Sequence, residues 1–261
     1  MDLEFPNSCF NRLVSRQSIP KPKCDARHGR RAWLSSRLDP HQSGVPVQSQ
    51  SIRVHEPLIT FLDSGGDLVE ALTLENQQLR TKESFLNRLL IAMTLLTRHR
   101  SLVSGDLSSA LRDITRMAAL SLEVQRASIW FLDDSRANLT CACIFDGLES
   151  LHGEGAQLLA RHYPAYFAEI ERGRVVAAED ALQDPRTREF AQGYLIPLSI
   201  TSMLDVPIKN GDRLAGVVCL EHTGPRRAWQ PEEQQFAAFV SSLVSLAIEA
   251  SDRILGVGPT S

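Results

Sequence analysis

Five cysteines, Cys9, Cys24, Cys141, Cys143 and Cys219, are the side chains best suited to covalent or redox chemistry. They are too few and too scattered for a disulfide framework. Cys141 and Cys143 stand two apart in the run LTCACIF, a spacing that puts both thiols on one face of a regular strand. Their α-carbons would then lie roughly 7 Å apart, beyond comfortable disulfide reach. Cys219 lies in a second strand-like run and can approach one of them. The sharp reading is a redox sensor; the plainer one, which carries more weight, is that strand cysteines are small apolar core residues. A zinc site would want closely spaced pairs with histidine partners, and His152, His162 and His222 show no ligand spacing to a cysteine. No Gly-x-Ser-x-Gly marks a nucleophile. Gly153 and Gly155 lie in LHGEGAQLL without the Lys-Ser/Thr of a phosphate loop. Glu221-His222 suggests acid/base work but reads more simply as a strand end. No catalytic residue and no metal ligand is expected.

The elements that hold these residues can be read from periodicity. Residues 67 to 100 lack Pro and Gly and are rich in Glu, Gln, Leu, Arg and Ala, which predicts a long helix capped by Asp67. Leu72, Leu79, Leu86 and Met93 repeat every seven residues, with Leu68, Leu89 and Leu96 on the companion seam, interrupted by Glu75 and Lys82. One reading is a dimerising signalling helix over 65–100; the other is a helix packed on its own domain. A second helix is expected from Leu107 to Leu122, capped by Asp106. The period then switches, and 127–132 with 139–145 read as a hairpin. Residues 155–172 return to helical character, broken at Pro164. A short strand over 174–178 and a mixed stretch over 180–194 follow. Strands at 202–208 and 214–221 are joined by Lys209-Asn210-Gly211-Asp212. Pro231, Glu232 and Glu233 open the last helix. Hairpins joined by helices imply an α+β fold, an antiparallel sheet with helices gathered on one face.

The chain has 261 residues and a formal charge of −3, an ordinary composition for a soluble protein, and no apolar run long enough to span a membrane. The charge is uneven: residues 1–60 carry a net +4 and the rest −7. The first part lacks a secretory signal and periodic apolar residues, so 1–64 is expected to be a disordered basic leader. The cluster Arg27, His28, Arg30, Arg31 is too modest, with only Trp33 nearby, to argue for nucleic acid or membrane. A cytoplasmic location follows as the expectation.

Five segments in order, ASIWFLDD, YPAYFAEIERGRVVAAEDALQDPRTREF, YLIPLSITSMLDVPI, LAGVVCLEH and RAWQPEEQQFAAFVSSLVSLAIEA, resemble a GAF domain over about 85–252. They are most similar to the sensory GAF domains of bacterial histidine kinases and diguanylate cyclases. The resemblance implies an antiparallel sheet of five to six strands, helices on one face, and a ligand-side layer of short helices and loops. Mapped onto this chain, it makes Tyr163, Phe167, Asp180, Asp184, Arg186, Tyr194, Leu195 and Met203 the candidate ligand-binding residues. A plainer account has the acids capping short helices, Arg186 pairing with one of them, and the aromatics filling the core. Some GAF proteins have thiol-dependent methionine-sulfoxide reductase activity, which makes Cys141, Cys143 and Cys219 a redox alternative. No cysteine is followed by His, so covalent bilin is not expected, and the Asn-Lys of cyclic-nucleotide-binding relatives is absent. No cofactor is predicted; an unknown small-molecule ligand is.

Relatives of this pattern usually continue into a kinase or cyclase. Here the segment after Ala250 reads as a solvated tail (253–261), with no phosphoacceptor helix, ATP-binding glycine box or GGDEF string. Glu70-Ala71-Leu72 spells EAL inside the first helix without a phosphodiesterase around it. The chain is therefore expected to act as a homodimer on a histidine kinase, cyclase or transcriptional regulator in trans, or as a scaffold subunit for one. A truncated gene product explains the same pattern.

Overall fold

The computed structural model describes residues 56–256, with side chains from Leu68 onward. Most of the expected leader, including Cys9, Cys24 and the Arg27–Arg31 cluster, lies outside the described residues, as do 257–261. The chain divides into two units, and the larger holds Lys82 onward.

Helix α1 spans Glu56–Thr97. It begins at Glu56 rather than at Asp67, so Asp67 lies inside it and does not cap it. Leu68, Leu72 and Leu79 of its first part are exposed. In its last part Leu89, Ala92 and Leu96 are buried in the domain core, so this end of the expected seam packs on its own chain. Helix α2, Leu107–Leu122, starts as its sequence requires: the Asp106 carboxylate accepts the Ser109 N–H at 3.0 Å.

Strands β1 (Arg126–Leu132) and β2 (Asn138–Asp146) form the first hairpin. The stretch expected to be helical over 155–172 is split. Three-residue strands β3 (Leu151–Gly153) and β4 (Gln157–Leu159) both pair with β2, and a 3-10 turn covers Ala160–His162. Helix α3 starts only at Pro164, whose missing N–H suits a first helical position, and ends at Glu171. Strand β5 is Val176–Ala178. A 3-10 turn at Arg188–Phe190 and a π-helical turn at Ala191–Leu195 then lead to β6 (Ile200–Asn210) and β7 (Arg213–Thr223). Their tight turn is shorter than the four residues expected, because pairing reaches Asn210 and Arg213, and Gly211 supplies the positive φ of 60°. Helix α4 runs Pro231–Leu255 and closes on left-handed Gly256, so the expected tail begins later than residue 253.

The sheet has seven strands in the order β3-β2-β1-β7-β6-β5, with β4 also on β2, and every pairing is antiparallel. The count passes six because β3 and β4 both hydrogen-bond to β2. One face of the sheet packs on α2 and α4 through residues such as Ile129, Leu204 and Val218, and the last part of α1 joins the same core. Arg227 ties this side together: its guanidinium donates to Leu122 O at 2.7 Å, pairs with Glu233 and lies 5.0 Å over Trp229. The other face carries a second core under α3 and the 188–195 turns.

Candidate functional site

Alternation along the strands decides which side chains reach the second face. Met203 and Asp205 of β6, Cys219 and Glu221 of β7, and Trp130 of β1 point there, while their neighbours Leu204, Val218 and Ile129 point to the helices. In β2 the alternation breaks. Ile129 pairs with Cys143 but Trp130 pairs with Cys141, leaving Ala142 as a β-bulge. Cys141 consequently joins the second core and Cys143 the helix-side core. The expectation that both thiols share one face is thus corrected. The extra residue turns one of them over.

The cover layer is fastened to the sheet by two buried tyrosines. Tyr166 of α3 donates its hydroxyl to Asp205 Oδ2 at 2.7 Å and lies 3.6 Å from Cys219 Sγ. Tyr194 of the π-helical turn donates to Glu221 Oε1 at 2.7 Å. Burial first, and the adjacent carboxyls second, push both phenols well above their ordinary range, so both stay donors. Glu189 adds a third fastening, accepting the Ala165 N–H at 3.1 Å at the start of α3. The carboxyls pay for this with desolvation. Burial pushes Asp205 up to about 7 against the pull of the Tyr166 hydroxyl, and raises Glu221 against the attraction of Arg126. Arg126 faces Glu221 across β1 and β7 and binds Asp146 at 2.9 Å. Desolvation works against its charge, but the Glu221 and Asp146 carboxyls hold it protonated.

A cavity of about 20 Å³ remains between cover and sheet. Four aromatic rings wall it, Trp130, Tyr166, Phe190 and Tyr194, with Met203, Cys219 and Glu221 from the strands and Leu158 from β4. Glu221 is 2% exposed, and its Oε2 has no hydrogen-bond partner.

Of the residues proposed from sequence, Tyr194 and Met203 line this cavity. Tyr163, Phe167 and Leu195 are buried in the surrounding apolar layer, with Tyr163 stacked on Phe190 at 4.3 Å. Asp180, Asp184 and Arg186 are engaged elsewhere. Asp180 pairs with Arg226 at 2.8 Å, and Arg186 grips Asp184 at 2.9 and 2.6 Å and donates to Ala177 O. Sequence reading missed Trp130, Tyr166, Phe190, Asp205 and the role of Glu221. One signal was present: a lone acid inside each of the apolar runs SMLDVPI and VVCLEH.

Asp205 gives a pH prediction with a definite sign. Its carboxyl titrates near 7 when folded and near 4 when unfolded, so the folded protein holds a proton that the unfolded chain releases between those values. Its contribution is complete below about pH 4 and is lost as pH rises through about 7. Asp205→Asn keeps an acceptor for Tyr166 but cannot titrate. The stability of the wild type relative to this variant is expected to fall by a few kcal/mol between about pH 4 and 8 in urea titrations. A pH-independent difference would contradict a raised Asp205.

The sequence profile of the GAF domain matches residues 106–248, more than half of the chain. The chain belongs to the GAF domain family, whose members are in general small-molecule sensory or regulatory modules rather than catalysts. No curated protein matches it. Among solved structures, it is similar to the GAF domain of the Acinetobacter phosphoenolpyruvate-protein phosphotransferase at 19% identity, with 67% of this chain and 98% of that one covered and a TM-score of 0.50. It is similar to residues 122 to 287 of a methyl-accepting chemotaxis protein at 17% identity, covering 62% and 98%, with a TM-score of 0.51. It is also similar to the free methionine-R-sulfoxide reductase of Neisseria meningitidis, determined with its substrate, at 11% identity, covering 65% and 91%, with a TM-score of 0.51. At such identities the likeness is one of fold.

Proposed function

We propose that this protein is a cytoplasmic sensory module that binds a small molecule between its sheet and the α3 cover and signals through its terminal helices. The observation that carries this reading is a cavity lined by Glu221, a buried residue whose Oε2 has no hydrogen-bond partner. A native core leaves few such atoms without cause. A guest there would press on Asp205 and Glu221, whose strand neighbours Leu204 and Leu220 belong to the core shared with α2 and α4. Two packings of that layer would be read out by α1 and α4, in a homodimer or on a kinase, cyclase or transcriptional regulator in trans. Among the described residues no helix is long and apolar enough to cross a membrane. Native mass spectrometry of freshly purified protein, with melting curves across a metabolite panel, tests the reading. A retained or stabilising small molecule supports it; a monomer with no guest and no melting shift overturns it.

The thiol alternative is less well supported. Burial raises the Cys141, Cys143 and Cys219 thiols, whereas a reactive cysteine needs a depressed one. These three cysteines are expected to resist a thiol reagent until the protein unfolds, as read by peptide mass mapping. Fast labelling of any of them in the folded protein would restore the redox reading.

A further inference from the structure

The charges around the cavity select the chemistry of a guest. Among the described buried residues of this face, one guanidinium, Arg126, stands against three carboxyl groups, Asp146, Asp205 and Glu221. Arg126 binds Asp146 through its Nε while its buried Nη1 has no partner, but Arg126 is not on the cavity wall. The wall residue with an unpartnered polar atom is Glu221, whose Oε2 is an acceptor, and a second unpartnered acceptor, Asp205 Oδ1, belongs to the residue hydrogen-bonded to Tyr166. An anion entering here would meet the Glu221 carboxyl on the wall and no cationic side chain there. Four aromatic side chains in the same wall supply π-systems that attract a cation.

We infer that the cavity takes the ammonium head of a small primary amine, with Glu221 Oε2 as its acceptor and the rings of Trp130, Tyr166, Phe190 and Tyr194 around it. This assignment rests on the ligand-binding function proposed above. Size agrees: a cavity of about 20 Å³ exceeds the roughly 10–15 Å³ needed for one water, and an ammonium group is of that size. The carbon part of the amine needs room that Leu158 and Phe190 now fill, so binding moves the cover. The N–H donors of the guest compete with Tyr194 for Glu221, which couples the amine to release of the 191–195 turn. Deprotonation of Asp205 adds to the negative charge that the amine meets.

The test uses the full chain at constant ionic strength, with methylammonium chloride, tetramethylammonium chloride, sodium chloride, ethanol and sodium acetate as probes. Melting temperature and Trp fluorescence are followed, since Trp130 lines the cavity. The expected result is a saturable upshift with methylammonium, absent with acetate and ethanol and weaker with tetramethylammonium, which has no N–H. Glu221→Gln is expected to weaken methylammonium binding about tenfold or more. Should that variant fail to fold, the contrast between the two ammonium probes on the wild type decides alone. Equal responses to methylammonium and sodium chloride overturn the assignment, as does equal binding by the Glu221→Gln variant. If a neutral or anionic metabolite stabilises the protein while methylammonium does not, the amine assignment falls and the sensory reading stands. If neither these probes nor the metabolite panel acts, both fall.

Discussion

Gly216→Ala is expected to destabilise the domain by about 3 kcal/mol, the upper part of the range for overpacking. Gly216 of β7 faces Phe131 of β1, and a Cβ built on it would meet the Trp130 carbonyl oxygen at 1.9 Å. The obstacle is backbone, so no rotamer change relieves it. Either β1 and β7 separate at the middle of the sheet or the Phe131–Gly216 pairing is lost. Urea denaturation should show a lower midpoint with an unchanged slope, the mark of a change in stability alone. Because Trp130 is also a wall of the cavity, its fluorescence should change in the same variant. A loss below about 1 kcal/mol would mean that β1 yields easily here.

Arg126→Ala is expected to cost about 3–5 kcal/mol, the usual penalty for removing one partner from a buried ionic group. Arg126 and Asp146 have side-chain exposures of 4% and 6%, and Glu221 is equally shielded. Removing the guanidinium leaves two buried carboxyls without their cation. Asp146 retains the N–H of Leu148 at 2.9 Å; Glu221 retains the hydroxyl of Tyr194. Arg126→Lys keeps the charge but not the planar fork, and should lose less. Equal losses in the two variants would show that geometry, not charge, is what the site needs.

How far the sequence could be read depended on whether a signal was local. Asp106 and Pro231 start their helices as expected because a cap acts within one turn. The Gly211 turn shows for the same reason. The GAF resemblance rests on several such words in order. Residues 157–159 misled, because QLL has helical composition and becomes a strand only through pairing with β2. The Ala142 bulge gave no sign either: LTCACIF is apolar on both faces, so alternation carries no mark of a slip. The site was hardest. Its bonds join Tyr166 to Asp205, Tyr194 to Glu221 and Arg126 to Asp146, each across 20 residues or more of chain. The visible polar cluster, Asp180, Asp184 and Arg186, was drawn away by its own ion pairs and Arg226.

The bulge also fixes which changes of length the strand can accept. On β2, Leu139 and Cys141 face the cover, then Ile144 and Asp146, so odd positions give way to even ones across Ala142. Ala142 is the residue that alternation does not need. Deleting it would leave every other β2 side chain on its own face and in its own pairing with β1, whereas an insertion or deletion at Ile144 or Phe145 would exchange the two cores' residues beyond that point. Among natural relatives, single-residue gaps in this hairpin should therefore gather at position 142.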